Sequence, residues 1–258
     1  MRIVVPVKQV PDLVEELELN SDGSDIDREF VKFVANEWDE QALEEALLIK
    51  EAVGAQVTVV AFDEPDVEQT IYTAIARGAD DAVKLTGVGE GWLSTADRAR
   101  ILAEWLSGQP YDLVITGVQA SDDLDGQLAG TLGGLLGVPH AAVVVGVEPG
   151  LDRVTVAQEL AGGTVVRSEI TTPCVLGMQT ARQAPRYAPI SRIRQAISAG
   201  GLASVEARGK PTGPADGVEL LRLYPPEKAG RAEMLSGDAP AVAERIVEIL
   251  ASKGLVKK

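Results

Sequence analysis

YDLVITG (111–117), VQASDDLDGQLAG (118–130) and TLGGLLG (131–137) follow one another, and their reading decides the fold. The first is an apolar run of the kind that forms a strand buried on both faces. The third is apolar and glycine-rich and reads as part of a helix beginning near Asp125. A strand feeding a helix through a loop is the unit of α/β folds, and their ligands bind at such loops. Yet this loop carries Asp122, Asp123 and Asp125, and carboxylates repel phosphate. Either it serves no nucleotide, or its aspartates bond something else.

The same alternation extends toward the N-terminus. RIVVPVK (2–8), QVTVVAF (56–62) and DAVKL (81–85) read as strands. WDEQALEEALLIKEAV (38–53), VEQTIYTAIARGA (67–79) and TADRARILAEWLSG (95–108) read as helices, the first with apolar positions at Ala42, Ala46, Leu47 and Ile49. Helices of this length between apolar strands imply right-handed parallel crossovers and a doubly wound, mostly parallel sheet. The segment at about 13–30 breaks the rule, and its turn Ser21-Asp22-Gly23-Ser24 predicts an inserted hairpin. After residue 140 the pattern turns to strands, AAVVVGVEP, RVTVAQEL, TVVRSEI and CVLGM, separated at Pro149-Gly150 and Gly162-Gly163. They predict an antiparallel addition to the sheet. ISRIRQAI (190–197) is a short helix that closes an α/β domain spanning 1–198. Residues 199–217, rich in Gly, Ala and Pro, read as a linker to a C-terminal arm (218–258) made of VELLRLYPP and the amphipathic APAVAERIVEILASKG.

Composition excludes several classes. A formal charge of −15 and an aromatic content of 4% argue against nucleic acid and anionic membranes. Cys174 is the only cysteine and His140 the only histidine, so an intrachain disulfide and a Cys/His metal site are absent. Cys174 sits in an apolar run and reads as a packed thiol, and His140, between helix and strand, as structural. MRIVVPVK has no signal-peptide pattern, and no apolar stretch approaches the ~20 residues of a membrane span. The expectation is a soluble, cytoplasmic protein.

Neither G-x-G-x-x-G after a strand nor G-x-x-x-x-G-K-[ST] occurs, and GVGEG (87–91) reads as a plain loop. With one histidine beside a strand, no catalytic triad can be assembled. No carboxylate pair stands out as acid and base, so no catalytic residue is assigned. What remains are polar strand ends: residues 5–12, Asn36 to Asp39 with Asn36 as candidate N-cap, and the aspartate loop.

These segments carry a resemblance. Val7-Lys8-Gln9-Val10-Pro11-Asp12, Asn36-x-x-Asp39-Glu40-x-Ala42-x-Glu44-Glu45-Ala46, Gly117-x-Gln119-Ala120-x-Asp122-Asp123 and Ala184-Pro185-Arg186-Tyr187 occur in order. Together they resemble the beta subunit of electron transfer flavoprotein, including its FixA-type branch, over nearly the whole chain. The resemblance implies an adenine-nucleotide-binding, Rossmann-like fold. It also implies an alpha subunit that holds FAD at the interface of a heterodimer, a carrier rather than a classical enzyme. Flavin dehydrogenases would be its donors and a quinone reductase or another protein its acceptor. The C-terminal arm would pack on the alpha subunit.

The resemblance also implies that the aspartate loop cradles AMP through backbone N–H groups and a helix N-terminus. Its aspartates would then act as turn and cap residues. By position the nucleotide touches Pro6, Asn36, Glu37, Trp38, Asp39 and Phe62. It further touches Gly117, Val118, Gln119, Ala120, Ser121, Asp122, Asp123, Leu124, Asp125, Gly126, Gln127 and Leu128. Trp38 stands where the family carries an aromatic that reaches the flavin. No metal is implied. The chain departs from the family in having Gly126-Gln127-Leu128-Ala129 for Asn-Gln-Thr-Gly, which removes two side-chain donors to phosphate. It has Gln183-Ala184-Pro185-Arg186-Tyr187 for Asn-Glu-Pro-Arg-Tyr, and Gln179-Thr180-Ala181-Arg182 lacks the leucine that docks into dehydrogenases. Two alternatives follow: an electron-bifurcating subunit whose second FAD replaces AMP and reacts with NADH, and a flavin-free nucleotide-binding stress or signalling protein.

Overall fold

In the computed structural model, residues 1–14, 16–29, 31–88, 93–123, 125–211, 221–225, 232 and 234–256 are described. The chain opens with β1 (Arg2–Pro6), then the short β2 (Gln9–Pro11) and β3 (Phe33–Ala35), which pair antiparallel at the base of the excursion. Further out, Leu19 and Ile26 form an isolated antiparallel bridge, and the Asp22 side chain accepts from Ser24 N–H at 2.9 Å to close the turn. The regular alternation follows as α1 (Glu37–Val53), β4 (Gln56–Phe62), α2 (Val67–Arg77), β5 (Asp81–Thr86), α3 (Thr95–Leu106), β6 (Leu113–Gly117) and α4 (Leu128–Leu136). Three antiparallel-linked strands, β7 (His140–Pro149), β8 (Arg153–Leu160) and β9 (Thr164–Thr171), precede β10 (Cys174–Met178) and α5 (Ile190–Ala199).

A nine-stranded sheet results, in the order β11-β5-β4-β1-β6-β10-β7-β8-β9, where β11 is Ala203–Glu206. Every pairing from β11 through β7 is parallel. Both faces are covered, which explains the uninterrupted apolar strands. Ile3, Val5, Val57, Val59, Leu113 and Ile115 join the core under α1 and α2, while Val4, Val60, Val114 and Val175 join the core of α3 and α4. The chain winds outward from β1 through β4 to β5, then returns by α3 to β6 on the other side of β1. That reversal leaves a crevice at the carboxyl ends of the central strands, where open α/β sheets bind ligands.

Local chemistry sets the element ends. The helix expected near Asp125 begins at Leu128, because Gly126 (φ 62°) turns the chain and the Asp125 carboxylate accepts from Gln127 N–H at 3.1 Å. Within the stretch read as linker, residues 203–206 add the edge strand β11; its side chains are all exposed, so it lacks the apolar signal of a central strand. Residues 212–217 of that stretch, 218–220 and 226 of VELLRLYPP, and 89–91 of GVGEG lie outside the described residues. The chain divides into two compact units, Met1–Arg222 and Leu223–Lys258. The second contains α6 (Ala239–Ser252), whose N-cap Asp238 accepts from Ala241 N–H at 3.0 Å. Burial pushes the Cys174 thiol up to about 12, so it stays protonated in the core. His140 is exposed, and its Cβ lies 2.8 Å from where Gly133 would carry one.

Helix α1 is unusual in burying three carboxylates, Asp39, Glu44 and Glu45. Buried acids require donors, and these find them on segments remote in sequence. Glu45 accepts from Val147 N–H (2.8 Å), Arg182 N–H (3.0 Å) and Arg182 Nε (2.7 Å). Glu44 accepts from Arg186 N–H (2.9 Å) and from its guanidinium, which reaches on to Glu51. The loop after β10 is thereby strapped to α1.

Replacing Glu45 with Ala would leave two backbone donors, Val147 N–H and Arg182 N–H, without their acceptor beside a void, while the Arg182 side chain, 39% exposed, can turn to water. Leaving a buried donor unsatisfied costs about 1–3 kcal/mol. In a unit of this size the expected fall in Tm is roughly 2–12 °C. A Glu45→Ala chain that melts with the wild type in calorimetry would show that the strap carries no stability.

Candidate functional site

The crevice opens to solvent at the carboxyl ends of β1, β4 and β6. Pro6, Asn36, Asp39, Phe62, Gly117, Val118, Gln119, Ala120, Asp123, Asp125, Gly126, Gln127 and Leu128 line it. Four residues read as site members are not in this lining: Glu37, exposed at the helix start, the half-buried Trp38, Ser121, and Asp122, which reaches the lining only through Lys8. Leu124 lies outside the described residues. The lining also includes Val7 and Lys8, from the strand end at residues 5–12, and Val60, Thr95, Arg98 and Leu102, which lie outside the motifs. A sequence signal for part of this set existed: Ser94 follows β5 and caps α3 by accepting from Asp97 N–H, which puts that helix N-terminus at the strand ends.

Asp39 builds the floor. One carboxylate oxygen accepts from Lys8 N–H at 3.0 Å and the other from Gly117 N–H at 3.1 Å, clamping the ends of β1 and β6 together. The approach is so close that a Cβ on Gly117 would lie 2.5 Å from Asp39 Oδ1 and 2.9 Å from the backbone of Trp38. Only glycine fits there. Asn36 occupies the N-cap position of α1, but its side chain makes no cap bond. Its Nδ2 instead donates to Gln119 O at 2.9 Å, tying the helix entry to the aspartate loop. Its Oδ1 is buried without a partner.

The three aspartates now have assignments. The Lys8 ammonium reaches Asp122 at 2.6 Å and Asp123 at 3.1 Å. Asp123 also accepts from Ala120 N–H at 3.1 Å, and Asp125 accepts from Gln127 N–H. Their charge is spent on one lysine and on loop donors, so the loop is less hostile to an anion than its composition suggests. Three further atoms at the cavity, on two residues of α3, are buried without partners: Arg98 Nε and Nη1, and Thr95 Oγ1. Among the described residues no cluster of His, Cys, Asp or Glu could hold a metal ion, and no helix is long and apolar enough to cross a membrane.

Comparison with known proteins decides the family. Residues 25–208 match the electron transfer flavoprotein domain. The electron transfer flavoprotein beta subunit of Methylophilus methylotrophus is 35% identical, over 97% of this chain and 98% of that one. This chain belongs to the electron transfer flavoprotein family, among its beta subunits. The beta subunit of Clostridium acetobutylicum is 34% identical over 75% of this chain and 74% of its own. A relative of Anaerotignum propionicum named acryloyl-CoA reductase electron transfer subunit gamma is 27% identical across 99% of this chain and 100% of its own. The beta-subunit architecture places α1, the aspartate loop and α3 around one cavity.

Burial pushes the Asp39 carboxyl up to about 7, against the pull of Lys8 and Gly117. An acid whose folded pKa is raised binds more protons folded than unfolded between about pH 4 and pH 7. Stability therefore falls as pH rises through that window, by at most about 1.4 kcal/mol per pH unit. Asp39→Asn, though weaker overall, should lack this slope. Urea unfolding at pH 5 and pH 8 checks it, and parallel changes in the two proteins would mean that Asp39 is charged throughout.

Proposed function

We propose that this subunit works in electron transfer by pairing with an alpha subunit that holds FAD, and that it carries one AMP in its own cavity. The observation that carries the nucleotide reading is a set of buried polar atoms without partners around that cavity: Asn36 Oδ1, Thr95 Oγ1, and Arg98 Nε and Nη1. Such atoms are costly to leave unmatched, and a polar ligand would satisfy them. The set includes donors, a cation and an acceptor, as a phosphorylated nucleoside requires. Gly126, in a left-handed turn, leaves the backbone near α4 open to close approach. The α4 N-terminus adds a favourable dipole.

When bound, FAD supplies the redox chemistry. The residues of this chain would shape its surroundings. Trp38, in the first turn of α1 and half-buried, is the aromatic that would wall the flavin. Asp39 holds that helix end against the ends of β1 and β6, and Asn36 holds it against the loop. The cytoplasm is the proposed location.

Acid extraction of the purified heterodimer, followed by chromatography, should release one FAD and one AMP. Two FAD and no AMP would assign the cavity to a second flavin and a bifurcating role. Absence of any adenine nucleotide beyond one FAD would remove the reading of the cavity. Independently, Trp38→Ala should brighten flavin emission and leave FAD content largely unchanged, since an indole in contact quenches flavin. Unchanged emission with a lowered Tm would make Trp38 a structural side chain.

A further inference from the structure

The cavity contains a charged group that the loop chemistry leaves unexplained. Arg98 stands in the second turn of α3, is 8% exposed, and donates through Nη2 to Glu64 at 2.7 Å. Its guanidinium lies 5.5 Å from the Phe62 ring centroid. That stack and the Glu64 bond fix the plane of the fork. Nε and Nη1 remain buried without an acceptor. Arginine cannot shed its proton, so these donors cannot be neutralised by titration.

We propose that Arg98 is the anchor for the phosphate of the bound nucleotide, an inference that rests on the nucleotide reading above. Two N–H groups on one rigid fork match the oxygens of a phosphate, and charge-assisted bonds of this kind are the strong ones. Thr95, three residues earlier and so on the same helix face, presents its buried, unpartnered hydroxyl beside it. The N-terminus of α3 adds a positive dipole end. The rest of the described lining offers little competition. Among the described residues two cations line the cavity: Lys8 is held by two carboxylates, whereas Arg98 pairs with the partly exposed Glu64 alone. Gly126 and Leu128 carry no side-chain donor at all. Glu64 acts as a positioning residue that keeps the fork turned toward the cavity.

The test compares AMP with adenosine on the nucleotide-stripped full chain by titration calorimetry. The wild type should bind AMP more tightly than adenosine. Arg98→Met should weaken AMP about tenfold or more and adenosine by less than about twofold, since a charged hydrogen bond is worth about a factor of ten or more. Arg98→Lys, which keeps the charge and loses the fork, should fall between and carries the test if the Met variant does not fold. Equal weakening of both ligands, or of neither, would overturn the anchor and make Arg98 a structural partner of Glu64. A wild type that binds AMP no better than adenosine would overturn it too. A wild type that binds neither would instead remove the nucleotide reading, and the anchor with it.

Discussion

The bridge from Asp39 to the backbone of Lys8 and Gly117 is the constraint on which the site depends. Parallel strands are joined to their neighbours by hydrogen bonds along their lengths, but their carboxyl ends run out of partners where the chain turns away. One buried carboxylate supplies the missing acceptors for two such ends at once. The position of Asp39 also fixes the start of α1, and through Asn36 the start of the aspartate loop. Its burial is expensive, as the upward shift of its titration indicates. That cost is set against the register of the sheet's central crevice.

The same logic runs down α1. Glu44 and Glu45 repeat, about a turn and a half further on, what Asp39 does at the helix entry: a buried acid on a rigid helix collects donors from distant chain segments, for these two more than a hundred residues away. A helix with an all-apolar inner face would pack as well, yet would not say where the loop after β10 belongs. Hydrophobic contact is non-directional, whereas a carboxylate with two or three donors accepts few geometries. The buried acids therefore act as locators for loops that have little apolar surface of their own.

Electrostatics around the cavity follows from pairing rather than composition. A chain of formal charge −15 is an unpromising host for an anion. Within the crevice, however, Lys8 is shared by two of the three loop aspartates, two helix N-termini open nearby, and Arg98 is held at the wall. Screening in water makes the distant surface acids weak compared with groups a few ångströms from a ligand. Local charge, not net charge, governs what this cavity can hold.

Much of this was legible in the sequence. Apolar runs of strand length separated by amphipathic stretches are enough to specify a doubly wound sheet, because burial on both faces leaves no polar positions. The motifs around Lys8, Asn36 to Asp39 and Gly117 to Asp123 likewise mark which strand ends meet. What they do not carry is who bonds whom. Asn36 looks like a helix cap and is a tie to Gln119, because an amide can serve either role and only the loop's arrival decides. The exposed β11 hides in a stretch that reads as linker, since an edge strand held by backbone bonds needs no apolar side chains. Arg98, on an ordinary amphipathic helix, is indistinguishable in sequence from Arg100 two residues on, which is partly exposed and paired with Asp97. Its burial arises only when α3 crosses over β4 and lays the guanidinium on Phe62. Periodicity is local and written in the chain; the pairing of buried polar atoms is non-local, and the packed sheet alone decides it.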